Sequence, residues 1–201
     1  MHRLLTIILL CALVVLNAGP SHAMRKASHG DDVINGNNRS NTLRALGGDD
    51  RISAKRGHDT VIAGAGNDHA WGGPGRDALF LGDGDDRGYG DSGKDRILGQ
   101  NGRDLLWGGN GHDALYGGAG NDDAWGGAGN DSLILGDGDD RGYGDNGNDQ
   151  VIGQAGDDLQ FLNHHAHQRR HRLALGAQPG ERARNLRRVA GERGIDQAEH
   201  V

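Results

Sequence analysis

Apolar, small and polar residues alternate with a period of nine between Ala27 and Phe161. Written in rows of nine, this segment fills fifteen rows with no insertion or deletion. Column one of the first row is Ala27 and column nine is Asn35. The apolar position is column eight, which is mostly aliphatic, as in Ile34, Leu43, Ile52, Val61, Leu79, Ile97, Leu106, Leu115, Leu133 and Val151. A fixed period with so little apolar content predicts a repeat architecture with a very thin interior.

Two further columns are nearly constant. Column four is Gly in fourteen rows, with Arg39 as the exception, and column six is Asp in fourteen rows, with Asn41 as the exception. The column-six residues are Asp32, Asp50, Asp59, Asp68, Asp77, Asp86, Asp95, Asp104, Asp113, Asp122, Asp131, Asp140, Asp149 and Asp158. Chance does not keep two columns in unbroken register fourteen times, so the nine-residue unit is a structural repeat.

Rows such as Gly72–Phe80 (GGPGRDALF), Gly108–Tyr116 (GGNGHDALY) and Gly126–Ile134 (GGAGNDSLI) resemble the RTX, or haemolysin-type, calcium-binding nonapeptide. The resemblance covers residues 27–161. It implies an all-β fold, a right-handed parallel β-roll (a β-solenoid) with 18-residue coils, each coil made of two rows. It also implies that six residues of a row form a turn that binds Ca²⁺ and that three form a short strand.

The residue types agree with calcium as the bound ion. Asp supplies the hard anionic oxygen that calcium prefers, and main-chain carbonyls complete its six to eight ligands. Gly allows left-handed backbone conformations and lets carbonyls approach an ion closely. The predicted ligands are the fourteen column-six Asp side chains and the backbone of Gly66, Gly75, Gly84, Gly93, Gly102, Gly111, Gly120, Gly129, Gly138 and Gly147. The rows containing Arg39, Asp91, Gln100, Asp145 and Gln154 depart from the Gly pattern, and the Arg39 side chain is expected to occupy space where an ion belongs.

Charge is distributed unevenly along the chain. The chain as a whole carries a formal net charge of -6, whereas the repeats contain 24 Asp against 11 Lys and Arg. Aromatic content of 4% and hydrophobic content of 34% argue against a single close-packed apolar core. The acidity of the repeats argues against nucleic acid as a partner. Since stacked Asp residues repel one another, we expect the repeats to be largely disordered at low calcium and to fold when calcium binds.

The segment 1–23 is interpreted as a cleaved signal peptide. A basic start is followed by thirteen mostly apolar residues, Leu4–Leu16, and by small residues at Ser21 and Ala23. A membrane anchor is the alternative, but thirteen residues are fewer than the ~20 that span a bilayer, so no stable membrane span is expected. Residues 24–26 are then a short linker. Because Cys11 lies inside the signal, the exported chain has no disulfide.

Residues 162–201 form a basic tail rich in His and Arg. It contains eight Arg and four acidic residues, and His164, His167 and His171 are spaced to share one face of a helix. One hypothesis is a zinc or nickel site, and the other is a solvated tail without regular structure. Residues 181–193 have a further alternative, a short cationic helix on anionic lipid or on the acidic roll.

From Trp71 onward, every second column nine holds an aromatic residue. In a roll, this places one outward-facing aromatic ladder on one side: Trp71, Tyr89, Trp107, Trp125, Tyr143 and Phe161. The ladder is either a platform for a glycan or another surface, or a stack that stabilises its own strands.

We therefore expect a secreted, extracellular calcium-binding protein in which the roll is a non-catalytic structural or scaffold module. Enzyme activity is not expected, because Asp pairs such as Asp85 and Asp86 lie in the calcium turns. The alternative is a calcium-dependent adhesin that binds a cell-surface or extracellular glycan through the aromatic ladder.

Overall fold

A computed structural model of the protein describes residues 24–162, which form sixteen β-strands joined by short turns, with no helix in this range. The strands form two eight-stranded sheets. The first sheet contains β1 (Met24–Lys26), β3 (Thr42–Gly47), β5 (Thr60–Ala65), β7 (Ala78–Asp83), β9 (Arg96–Asn101), β11 (Ala114–Ala119), β13 (Ser132–Asp137) and β15 (Gln150–Ile152), in this spatial order. The second contains β2 (Val33–Asn35), β4 (Arg51–Ser53), β6 (His69–Gly75), β8 (Arg87–Gly93), β10 (Leu105–Gly111), β12 (Asp123–Ala128), β14 (Arg141–Asn146) and β16 (Leu159–Phe161).

Each strand pairs in parallel with the strand two further along the chain. The register between partners is the same throughout the roll: Leu106 lies opposite Ala124, and Leu115 opposite Leu133. Successive rows therefore alternate between the two sheets, and two rows make one coil. The prediction of an all-β parallel solenoid with 18-residue coils is confirmed.

The strands depart from the sequence-based expectation in length and in where they begin. Many are six or seven residues long instead of three, as in His69–Gly75. The longer strands arise because stacked coils keep the same conformation, so pairing continues from column seven into column three of the next row, as between Gly73 and Asp91. The predicted linker, Met24–Lys26, is the first strand, since it lies one coil before Thr42–Arg44 and strand pairing requires only its backbone.

The core lies between the two sheets and has two inward-facing columns. Column eight was predicted, and Leu43, Leu79 and Leu106 are fully buried there. Column one is also buried, with Ala45, Ala54, Ala63, Leu81 and Leu135 all at 0% exposure. Sequence reasoning missed column one because it is mostly Gly and Ala, which carry little hydrophobic signal.

Large and small residues compensate for each other across this core. A Cβ atom on Gly88 would lie 3.0 Å from Leu81 Cδ1 and 2.8 Å from Ile97 Cγ2. The same arrangement recurs three coils later, where a Cβ on Gly142 would lie 3.1 Å from Leu135 Cδ1. The leucine in column one thus fills the space that the glycine in column eight leaves.

Several predictions concern residues outside the described range: the signal peptide, the basic tail beyond Leu162 and its histidine cluster. Within residues 24–162, no helix is long and apolar enough to cross a membrane.

Candidate metal centre

The column-six aspartates line the inside of the turns at both edges of the sheets. All of them from Asp32 to Asp140 are at most 4% exposed, and Asp68 and Asp104 are fully buried. They also form a continuous hydrogen-bonded chain along each edge. The backbone N–H of Asp86 donates to Asp104 Oδ1 at 2.9 Å, and the N–H of Asp104 donates to Asp122 Oδ1 at 2.8 Å. The structure therefore gathers the predicted side chains into two buried columns of carboxylates.

The second oxygen of twelve of these carboxylates has no such partner. Among the described residues, no hydrogen-bond donor reaches the buried Oδ2 atoms of Asp50, Asp59, Asp68, Asp77, Asp86, Asp95, Asp104, Asp113, Asp122, Asp131, Asp140 and Asp149. Buried polar atoms are usually satisfied, because leaving one unpaired costs free energy, and more so when it is charged. These twelve unpaired oxygens occupy equivalent positions in successive coils, and each can bind a proton or a metal cation.

Burial without a counter-charge also changes the acidity of these groups. Desolvation raises the pKa of Asp86 to about 8, and the neighbouring carboxylates Asp104 and Asp68 push it in the same direction. Desolvation likewise raises the pKa of Asp122 to about 7 and that of Asp104 to about 6. The columns thus favour either protons or a bound cation, and they disfavour bare negative charge.

Main-chain oxygens meet these carboxylates beside the column-one glycines. A Cβ atom on Gly90 would lie 2.7 Å from Asp95 Oδ2 and 2.6 Å from the carbonyl oxygen of Gly108. One coil further, a Cβ on Gly108 would lie 2.7 Å from Asp113 Oδ2 and 2.5 Å from the carbonyl oxygen of Gly126. A carboxylate and a carbonyl oxygen therefore converge on a small space that glycine leaves open.

The column-four glycines allow the coils to approach this closely. Gly84 has a φ of +137°, a conformation that residues with a Cβ rarely adopt, and a Cβ there would clash with the carbonyl oxygen of Gly66. The other predicted glycines are in the same setting. At Gly75, contact with the Gly57 carbonyl oxygen, and not the value of φ, excludes a side chain. These residues shape the backbone of the turns.

The ligand chemistry fits calcium better than zinc. Within residues 24–162, no three His, Cys, Asp or Glu side chains come together as a metal cluster. Each level of a column provides carboxylate oxygen, with main-chain carbonyls close by. Calcium accepts carbonyl oxygens readily, whereas zinc sites are built from several His and Cys side chains.

Three of the rows that depart from the Gly pattern keep the left-handed backbone of the others at column two. Asp91, Gln100 and Asp145 in column two have φ values of 74°, 85° and 64°, in the left-handed region that glycine occupies elsewhere. In the Asn41 row, the Asn41 amide donates to Asp59 Oδ1 at 2.8 Å. Arg39 is exposed, so the expectation that its side chain occupies the interior is wrong. It points away because solvating a guanidinium costs less than burying it.

Sequence reasoning missed a second ladder on the outer side of the turns. In column five, the side chain of one residue accepts the backbone N–H of the equivalent residue one coil later. Asp49 N–H donates to Asp31 Oδ1 at 2.9 Å, and Asn67 N–H donates to Asp49 Oδ1 at 2.8 Å. The available signal was the excess of Asp, Asn, Ser and His in this column, residue types that accept local backbone hydrogen bonds.

The aromatic ladder forms as predicted. Neighbouring rings have centroids 4.5 to 5.5 Å apart and interplanar angles of 1 to 6°. The rings are therefore stacked face to face along the second sheet, and each inner ring has a neighbour over both faces. What they present outward is their edges.

Comparison with known families agrees with this geometry. The family model for the RTX calcium-binding nonapeptide repeat matches residues 28–61, 53–87, 89–124, 116–151 and 136–159. No curated protein matches the chain. The chain therefore belongs to the RTX calcium-binding nonapeptide repeat family, and its repeats form a calcium-binding β-roll.

Proposed function

We propose that this protein is a secreted, non-catalytic structural module whose roll folds when its aspartate columns bind calcium. The observation that carries the proposal is the row of unpaired, buried Oδ2 atoms, one on each of twelve column-six aspartates. Bound calcium supplies positive charge and electrophilic coordination to these oxygens. The family's calcium-binding repeats support the same conclusion.

The role of the chain's own residues follows from their positions. The Asp104 carboxylate is oriented by the N–H of Asp86 through Oδ1, which leaves Oδ2 available as a ligand. Glycines such as Gly90 and Gly108 keep the adjoining space open and bring main-chain carbonyls to it. Because this arrangement exists only when two coils are stacked, calcium affinity adds directly to folding free energy.

A structural role is favoured over catalysis by the state of the carboxylates. The column-six aspartates are buried, and their Oδ1 atoms already accept a hydrogen bond from the backbone of the previous coil. Asp104 Oδ1, for example, accepts from the N–H of Asp86. General acid–base catalysis needs a carboxylate that reaches a substrate proton. Secretion is supported by the apolar run Leu4–Leu16 and by the calcium level that exported modules of this kind require, ~10⁻⁴ to 10⁻³ M.

The glycan-binding alternative gains no support from the ladder. Sugar rings stack on exposed aromatic faces, whereas the faces of Tyr89, Trp107 and Trp125 cover one another at 4.5 to 5.5 Å. The geometry favours the other interpretation, a stack that stabilises the parallel strands beneath it.

Far-UV circular dichroism of the purified protein during a calcium titration tests the proposal. A cooperative gain of β signal with calcium, and none with magnesium at equal ionic strength, is expected. A protein already folded in chelator, or one that stays unfolded at 10 mM calcium, about tenfold above the weak end of the expected range, contradicts it. Secretion is tested separately by sequencing the N-terminus of exported protein, which should begin at Met24.

A further inference from the structure

The turns lie at two edges of the roll, and the edges differ in charge. At one edge, the chain passes from the first sheet to the second, as between β7 and β8. At the other, it passes from the second sheet to the first, as between β8 and β9. We call the first the acidic edge and the second the basic edge. Nearly all exposed turn aspartates lie on the first, and nearly all exposed turn Lys and Arg side chains lie on the second.

The acidic edge carries nearly all of the exposed turn aspartates. These are Asp31, Asp49, Asp83, Asp85, Asp137, Asp139 and Asp157. A single exposed Arg, Arg103, accompanies them in the described turns. It is already engaged with Asp123, 3.5 Å away.

The basic edge carries the other exposed cations of the turns. These are Arg39, Lys55, Arg56, Arg76 and Lys94, which belong to four successive coils. The exposed His58 and His112 continue the same stripe, and Arg76 N–H donates to His58 Nδ1 at 2.9 Å. Neither of the two ion pairs found within residues 24–162 involves these Lys and Arg side chains. Since stacked coils are about 4.8 Å apart, these cations, which lie in columns two to five of their rows, form a closely spaced stripe over four coils.

The sign of this edge depends on what its interior binds. When every carboxylate is ionised, its six column-six aspartates, together with Asp91 and Asp145, outnumber the five Lys and Arg by three. Two divalent cations in these turns add four positive charges and make the edge net positive. The acidic edge has eight column-six aspartates and seven exposed ones, so the same loading does not give it a positive surface.

We propose that the basic edge is a docking surface for a linear anionic polysaccharide, and that calcium loading switches this surface on. This inference rests on the proposed calcium-coupled function. A linear chain with regularly repeated acidic groups matches a stripe of cations that runs along the roll over four successive coils. Single-stranded nucleic acid is less well matched, because its proteins stack bases on aromatic rings and the basic-edge turns contain no Phe, Tyr or Trp.

The test measures binding of the full chain to dextran sulfate, with uncharged dextran as the matched polymer. A triple variant, Arg56→Gln, Arg76→Gln and Lys94→Gln, removes three cations from the basic edge. Its control is Arg44→Gln, Arg51→Gln and Arg96→Gln, which removes three exposed cations from the sheet faces and changes net charge equally. Circular dichroism of the same samples reports folding.

We expect wild type to bind dextran sulfate in calcium, to bind neither polymer in chelator, and to release dextran sulfate as salt is raised. The affinity of the edge variant for dextran sulfate should be at least roughly tenfold lower. Three exposed ion pairs between protein and polymer, each weak by itself, are lost together. The face variant should bind as wild type does. This control separates edge docking from simple calcium bridging between two polyanions.

Equal binding by the two variants overturns the inference, as does single-stranded DNA that binds as well as dextran sulfate. A protein that is folded in calcium yet binds no dextran sulfate also overturns it, and leaves calcium-coupled folding intact. A protein that does not fold in calcium overturns both the inference and the proposed function.

Discussion

The buried groups between the strands and the buried groups in the turns find their partners in different ways. Between the strands, Leu106 is fully buried, and Leu81 fills the space left by Gly88. In the turns, Asp86 and Asp104 are buried just as completely, but their Oδ2 atoms find no donor in the described chain. The protein alone satisfies the strand interior, whereas the buried carboxylates of the turn interior need either protons or a bound cation. Solvent composition therefore controls one half of each coil.

Removing calcium is the strongest way to break this comparison. Because strands of three to seven residues depend on the turns for alignment, we expect chelation to unfold turns and strands together. Hydrogen exchange followed by mass spectrometry measures this directly. Protection should be lost throughout residues 33–161. Strands that stay protected while only the turns exchange would show that the two interiors are energetically independent.

A cavity in the strand interior should have the next largest effect. Leu106→Ala deletes a fully buried side chain and should lower the stability of the calcium-loaded protein by about 2 to 5 kcal/mol. Leu105→Ala is the matched control, since Leu105 is only half-buried on the outer face of the same strand. Denaturant unfolding in saturating calcium gives both values. Equal losses would mean that the apolar interior contributes little.

Substitutions at two adjacent aspartates of one turn test the contribution of the turn interior. Asp86→Asn alters a buried carboxylate with an unpaired oxygen, and should lower calcium-loaded stability by about 2 kcal/mol and raise the calcium concentration at the folding midpoint. Asp85→Asn makes the same charge change at an exposed position. There it keeps the acceptor for the Arg103 N–H, as Asn67 does for Asp85. Calcium titrations of the two variants should differ clearly, and identical midpoints would remove column six from the ligand set.

The pH dependence should change sign with calcium. In the calcium-free roll, burial raises the pKa of Asp86 to about 8 and those of Asp50 and Asp95 to about 7, above the ordinary value of 3.8. The folded state then binds protons more tightly than the unfolded state, so its stability is greatest below about pH 4 and declines as pH rises to about 8. In saturating calcium, protons compete with the ion for the same oxygens, and acid should destabilise the fold.

Thermal melts at pH 5 and pH 8, with and without calcium, measure this difference. In calcium-free buffer, the folded fraction seen by circular dichroism at low temperature should be larger at pH 5 than at pH 8, whereas in calcium the melting temperature should be higher at pH 8. The same direction in both buffers would show that the buried carboxylates do not titrate as a consequence of burial.

The sequence predicts most of the turns and less of the interior. Asp86 and Gly84 were predictable because the turn conformation and the ion restrict residue type directly at those columns. Column one was not, because Gly88 needs Leu81 only once the chain is coiled, and no local pattern encodes that pairing. The charge difference between the edges was equally hidden, since it emerges only when alternate rows are assigned to opposite edges.

The constant register of one coil also bears on folding speed. Parallel sheets usually form slowly, because their contacts join distant parts of the chain and long loops must close first. Here every strand partner, from Met24 with Thr42 to Tyr143 with Phe161, lies one coil away, so each step of growth closes the same short loop. A roll of this kind can nucleate at any coil and extend in both directions by nearest-neighbour addition. Its folding time should therefore increase only gradually with the number of coils, with the arrival of calcium setting the pace of each addition.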